Sequence, residues 1–263
     1  MLATPQIVAP RCSKNLIGAM LVALPLAAWP RAASAYRPFD GTDAAVADLG
    51  ELEVEWQSVG ARREGSQTTL IAPATVVNIG VAPGWEAVFE GQLETPLSSS
   101  TPPTLTAAGT FLKHVLRPGS LQNMDGPSIA TEFGMLLPDS RGESGTGASF
   151  AGIVSQRWDW GTVHLNGEAV LTRNHDADLF LGAIVEGPAD WSIRPVAEIF
   201  YEKEFGQSET VSGLIGAIWK INDKLSFDLA FRHALTNGHA VNELRAGLTF
   251  GFSLRSLSGA TRK

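Results

Sequence analysis

Residues 244–254 read LRAGLTFGFSL. Apolar side chains take every second position, at Leu244, Ala246, Leu248, Phe250, Phe252 and Leu254; Arg245, Gly247, Thr249, Gly251 and Ser253 stand between them. A β-strand turns successive side chains to opposite faces, so this stretch makes a strand with one apolar and one polar face. What the apolar face touches decides the fold. It is either half of a dry core or a surface turned to hydrocarbon.

The same period of two recurs. In ELEVEW, residues 51–56, Leu52, Val54 and Trp56 oppose Glu51, Glu53 and Glu55. In residues 85–93, Trp85, Ala87, Phe89, Gly91 and Leu93 oppose Glu86, Val88, Glu90 and Gln92. Residues 162–172 set Val163, Leu165, Gly167, Ala169 and Leu171 against His164, Asn166 and Glu168. Residues 225–231 set Leu225, Phe227, Leu229 and Phe231 against Ser226, Asp228 and Ala230, with Arg232 next on the polar side. Less regular stretches near 69–78, 110–116, 128–137, 148–158, 177–186, 194–204 and 211–221 bring the expected count to about twelve strands. The stretch from Thr110 is the least regular, so ten is the alternative. GTDAAVADLG, residues 41–50, is the one short helix candidate beyond residue 35. Tight turns are expected at NIGVAPGW, WDWG, EGPADW and IND. RPGSLQNMDGP falls at that same end but is long. Longer polar loops are expected at GARREGSQ, TPLSSSTPPTLTAAG, PDSRGESGTG, RNHDAD, KEFGQSE and HALTNGHAVN.

The first 35 residues have another character. Arg11 and Lys14 precede the apolar run NLIGAMLVALPLAAWP, and RAASA ends in small residues at Ala35. That is the pattern of a secretory signal peptide, leaving residues 36–263 as one exported domain. Its removal takes away Cys12, the only cysteine, so no disulfide holds the mature chain. It also removes three basic residues, Arg11, Lys14 and Arg31, and no acid. The totals of 20 basic and 27 acidic residues then fall to a net charge of −10, from −7. An acidic chain without a nucleic-acid motif is not expected to bind nucleic acid.

Many half-polar strands can pack as a sandwich around a dry core, or close as a barrel with polar groups inside and an apolar face in lipid. Three features favour an all-β, up-and-down antiparallel transmembrane barrel. The repeats reach the roughly 9–11 residues that a tilted spanning strand needs. Sequential hairpins close without an edge. Aromatic residues at Trp56, Trp85, Trp158, Trp160, Trp191, Phe200, Tyr201 and Trp219 stand near the expected turns, where headgroups would lie.

The polar faces also carry more charge than a dry core can hide. The expected lumen wall comprises Glu53, Glu86, Glu90, Glu132, His164, Glu168, Glu198, Glu202 and Asp228, with Arg157, Arg194, Arg232 and Arg245 as cations. Closure of the last strand on the first is expected to bring Arg245 to Glu53 or Glu55. The cell outer membrane is the expected location, its lipids and the barrel-insertion machinery the expected partners.

YRPFDGTDAAVADLGELEVE, LIAPATVVNIGVAPGWEAVFEGQLE, GPSIATEFGMLLP, GTGASFAGIVSQRWDWGTVHLN, AEIFYEKEFG and LRAGLTFGFSL together resemble a group of uncharacterised proteobacterial outer-membrane barrels. These are similar to the proteins named for a meta-cleavage pathway of phenol degradation and labelled transporters. The resemblance runs from Tyr36 to Leu254. It implies a twelve-strand, channel-like protein with no catalytic residues and no established solute. The tail RSLSGATRK departs from the usual barrel ending, an aromatic residue closing the last strand.

Chemical motifs are sparse. RNHDAD sets His175 beside Asp176 and Asp178, an arrangement of metal-ligand types that an exposed polar loop also produces by chance. GESGTGASF is no nucleophile elbow, and GTGASFAG has no Lys-Ser/Thr to make a phosphate loop. His164 and Glu168 share a face but lie about 13 Å apart along a strand, too far for a dyad. No cofactor is expected. The functional expectation is a passive channel or transporter for a small solute, cationic or neutral rather than anionic. The alternatives are a structural or surface-binding barrel and a lipid-modifying enzyme built from groups on different strands.

Overall fold

A computed structural model describes residues 37–254. The expected signal peptide and the tail from Arg255 lie outside the described residues. Twelve strands form: β1 (Glu51–Glu64), β2 (Gln67–Ala82), β3 (Trp85–Pro96), β4 (Thr104–Arg117), β5 (Ser128–Leu136), β6 (Gly147–Trp158), β7 (Gly161–Leu171), β8 (Ala177–Glu186), β9 (Ile193–Glu204), β10 (Ser208–Asn222), β11 (Leu225–Thr236) and β12 (His239–Ser253). Each pairs antiparallel with its sequence neighbours, and β1 closes on β12. The sheet is therefore a closed up-and-down barrel, and every strand's backbone groups find partners on both sides.

The alternation sorts the side chains as the pattern requires. On β12, Glu243, Arg245 and Thr249 are buried on the lumen side, while Leu244 is 49% exposed on the outside. Ile199 and Ile215 are each 67% exposed in the outer belt, beside Leu165, Leu181 and Leu229 on neighbouring strands. A continuous exposed belt of this size has one suitable solvent, the hydrocarbon of the outer membrane. Trp158, Trp160, Trp191 and Trp219 stand exposed at the end where β1 begins and β12 ends, and the rings of Trp158 and Trp160 stack with centroids 5.3 Å apart. They mark one headgroup level. Phe200 does not belong to that girdle: it faces the lumen, 6% exposed. Trp56 lies mid-strand, opposite Leu248.

Several stretches expected as loops are strand. β1 and β2 run through GARREGSQ to a turn at Gly65 and Ser66, and β11 and β12 run through HALTNGHAVN to Asn237 and Gly238. Both of the latter residues have positive φ, 50° and 79°, the conformation that makes Asn-Gly a favoured two-residue hairpin turn. Polar residues misled the pattern here because these strands continue past the hydrocarbon, where no apolar face is needed. The stretch from Thr110 belongs to a full strand, β4. The helix candidate at 41–50 forms no helix; it is part of a segment that enters the barrel. By the usual orientation, the end with the short turns, where β1 begins and β12 ends, faces the periplasm.

The seam runs in register from Glu51 opposite Ser253 to Glu64 opposite Val241, with one bulge near Ser58. It places Arg245 opposite Gly60, not near the first-strand glutamates: Glu53 faces Gly251 and Glu55 faces Thr249. The expected Arg245 contact is thus corrected by about six residues of stagger. Cysteines at the outward pair Val54 and Phe250 should form a disulfide in the inserted protein, and the oxidised chain should migrate differently from the reduced one on denaturing gels. Failure to cross-link would count against this closure.

Candidate functional site: a lumen crossed by its own N-terminal segment

Residues 37–50 lie inside the barrel and cross it within its periplasmic half. They make no ladder with the wall. Backbone N–H groups and side chains bond one by one to wall side chains instead. Glu198 accepts from the amides of Asp40 and Gly41 at 2.8 and 2.7 Å. Asn166 accepts from Thr42, the Ser155 hydroxyl from Ala44, and Glu86 from Ala47. Glu55 accepts from the amide of Arg37 at 3.0 Å. Such donors buried without partners would each cost about 1–3 kcal/mol, so the polar lumen is what lets an irregular segment sit there. At the segment's exit, a Cβ on Gly80 would stand 2.0 Å from the Asp48 carbonyl oxygen. Only glycine permits that approach.

Three ion-pair groups fix the segment laterally. The Arg37 guanidinium reaches Asp228 at 3.3 Å and donates to Gln57. Lys113 pairs with Asp43 at 3.4 Å and donates to the Thr42 hydroxyl. Asp40 lies between Arg245, at 2.9 Å, and Arg232, at 3.5 Å; both guanidiniums also pair with Glu243. Arg245 additionally donates to the Pro38 carbonyl. Burial by itself would raise the Asp40 carboxyl, but the two guanidiniums outweigh it and hold it below its ordinary 3.8. Apolar packing of the segment is slight by comparison, Ala44 against Ala130 and Ile153.

The thirteen wall positions read from sequence fall as follows. Glu198 and Asp228 grip the segment, as does Glu86. Arg232 and Arg245 form the Asp40 cluster. Glu53 is 8% exposed and lines the cavity beside the segment. Glu90, Glu168 and Glu202 line the cavity farther toward the outer loops, and Glu132 lines it opposite Lys113, which holds Asp43. Arg157 and Arg194 line its periplasmic mouth. His164 does not face open space. Its Nδ1 lies 2.8 Å from the Ser155 hydroxyl and its Nε2 3.1 Å from Glu186, which also pairs with Arg194 at 3.0 Å. His164 therefore has a carboxylate partner, Glu186 on the next strand. The Ser155–His164–Glu186 chain has the composition of a nucleophile relay. Ser155 is fully buried, however, and its oxygen already accepts the Ala44 amide, so here the chain seats the segment.

Sequence reasoning missed Lys113, Phe111 and Phe180 on the wall, and the segment altogether; Asn166 was read on a polar face but not counted among the wall groups. Lys113 shares its face with the apolar Phe111 and Val115, so period two did not mark that face of β4 as the inward one. Nothing in RPFDGTDAAVADLG indicates that it enters a lumen. RNHDAD is a turn, with His175 at positive φ. Among the described residues, no three His, Cys, Asp or Glu side chains converge as metal ligands.

One cavity of about 1310 Å³ runs past the segment. Lys220, Lys224 and Arg194 line it at the periplasmic end, and Glu202, Asp178 and Val170 at the other. A closed wall, a polar interior and a through-running cavity narrowed by the chain's own segment define the architecture. The protein has the fold of an outer-membrane channel. Solved structures agree at the level of fold. The COG4313 outer membrane channel from Pseudomonas putida F1 matches with a TM-score of 0.56 at 10% identity, over 82% of this chain and 100% of that one. The NanC porin matches at 0.55 and 10% identity, over 76% of this chain and 98% of that one. The KdgM porin matches at 0.53 and 10% identity, over 76% and 99%. No protein-family model matches the chain, and no curated protein does.

Arg245→Met strands Asp40 and Glu243 with one guanidinium between them. It should lower stability by about 3 kcal/mol, measured as a shifted urea midpoint in lipid vesicles. Because Asp40 is held low, its contribution is present above pH 3.8 and is lost only as the pH falls further, through its folded-state value. Asp40→Asn should therefore weaken the protein at neutral pH and reduce the loss of stability seen below about pH 4.

Proposed function

We propose that the protein is a passive outer-membrane channel for small solutes, with the N-terminal segment as its constriction. The observation that carries this reading is the cavity of about 1310 Å³ whose lining includes residues near both ends of the barrel as well as the segment's own Asp40, Asp43 and Asp48. A merely structural barrel has no need of such a void. The segment's polar attachment leaves space between its bonds, where apolar packing would have sealed the lumen. The names of the structural neighbours, a channel and two porins, support this function by analogy of fold. The sequence resemblance to barrels named for phenol degradation supplies no solute.

In this proposal residues 1–35 export the chain. The last strand presents Phe250 and Phe252, whose rings meet edge to face at 5.5 Å, to the insertion machinery in place of a terminal aromatic. Glu90, Glu132, Glu168 and Glu202 then set ion preference as wall groups.

Purified protein in planar bilayers should conduct potassium chloride with cations favoured over chloride. Deleting residues 37–48 should raise unit conductance severalfold, since it clears the constriction. Glu90→Gln combined with Glu168→Gln should move the reversal potential in a salt gradient toward the unselective value. An absence of current from both intact and deleted protein would refute the channel.

A further inference from the structure

The carboxylates of the lumen fall into two sets. In the periplasmic half, those gripping the segment are occupied by nitrogen donors of the chain itself. Glu198 holds two amides, Glu86 one, Glu55 the Arg37 amide, and Asp228 the Arg37 guanidinium. Farther out, Glu90, Glu168, Asp178 and Glu202 line the same cavity, with Glu132 below them opposite Lys113, and none of the five is in an ion pair among the described residues. Glu168 receives only the Ser149 hydroxyl.

The nearby cations make their close ion pairs with other groups, although Lys113 also stands opposite Glu132 in register. Arg232 and Arg245 pair with Asp40 and Glu243, Lys113 with Asp43, Arg62 with Glu94 at 2.7 Å, and Arg173 lies by Asp139. The cavity lining thus carries more carboxylates than basic side chains.

The outer chamber of this cavity is also aromatic. Phe111, Phe180 and Phe200 point inward among the carboxylates. The Phe111 ring lies against Gly109, where the Glu90 carboxylate also arrives. Phe180 and Phe200 meet with centroids 5.0 Å apart, and the Arg232 guanidinium already sits 5.0 Å over the Phe200 ring. The lumen therefore shows twice, in its own bonding, what it recognises. A guanidinium lies between a carboxylate and an amide oxygen at Asp228 and Gln57, and another lies over an aromatic face at Phe200.

The five carboxylates belong to β3, β5, β7, β8 and β9, spread over about 29 Å of wall at strand spacing. Among the described residues no three of them converge as metal ligands, and they suit a solute passed from one to the next.

Resting on the channel reading above, we propose that the outer chamber selects small organic cations, an ammonium or guanidinium carried on an apolar or aromatic body. The carboxylate arc takes the charge, and Phe111 and Phe180 take the body.

The test uses the full mature chain and three probes of similar size: 2-phenylethylammonium, the neutral 2-phenylethanol and the anionic 3-phenylpropionate. Binding is measured by calorimetry on the detergent-solubilised barrel, and permeation or block in planar bilayers carrying potassium chloride. The ammonium should bind at least about fivefold more tightly than either partner. Joint replacement of Glu90, Glu132 and Glu168 by Gln should abolish that preference. Phe180→Leu should reduce the advantage of 2-phenylethylammonium over ethylammonium about threefold while leaving cation preference over the anion intact.

Equal binding of the three probes, or a preference that survives the triple replacement, overturns the proposal even if potassium current is normal. Absent potassium current refutes the channel instead, and the calorimetry then decides the binding site by itself.

Discussion

A backbone amide facing hydrocarbon has no water to bond, and this constraint governs the whole molecule. Antiparallel pairing satisfies it only if the sheet has no edge, so β12 must return to β1. Once the wall is closed, period two does the rest. One set of side chains must tolerate lipid, and the other is confined to a lumen too narrow to treat its charges as if they were in bulk water. The aliphatic belt with Ile199 and Ile215 and the buried row of Glu243, Arg245 and Thr249 are two consequences of the same closure.

The second consequence creates a problem that the N-terminal segment solves. Wall groups such as Glu198, Asp228, Arg245 and Lys113 are taken out of water by the barrel, and ions buried without partners are costly. The segment supplies the partners. Arg37 answers Asp228, Asp43 answers Lys113, and Asp40 completes a cluster of two acids and two guanidiniums. Its backbone amides answer the remaining carboxylates. Wall and segment are therefore complementary in charge rather than in apolar shape, which explains why an irregular chain with no ladder can be held at all.

How much of this was legible follows from what kind of information period two contains. It reports which face a residue is on, so the fold and the inward direction of Glu90, Glu168 and Arg245 could be read directly. It says nothing of register, because register depends on stagger around the whole barrel. Arg245 accordingly met Asp40 and Glu243 instead of the first-strand glutamates. Nor does it mark where a strand leaves the hydrocarbon, so the polar outer ends of β1 and β12 read as loops. Phe200 illustrates the remaining ambiguity. An aromatic near a turn suggests a girdle, but the parity of β9 turns Phe200 inward with Glu198 and Glu202.

The segment itself was illegible for a physical reason. Its bonds are spread over many strands, at sequence separations such as 158 for Asp40 with Glu198 and 205 for Asp40 with Arg245. No local pattern encodes such partners; only the assembled wall does. The sites for Arg37 and Asp40 each combine residues from strands far apart in sequence, and the segment compensates charge there. Occupied carboxylates below and unoccupied carboxylates above are two states of one wall chemistry, separated by how far fourteen residues of chain can reach.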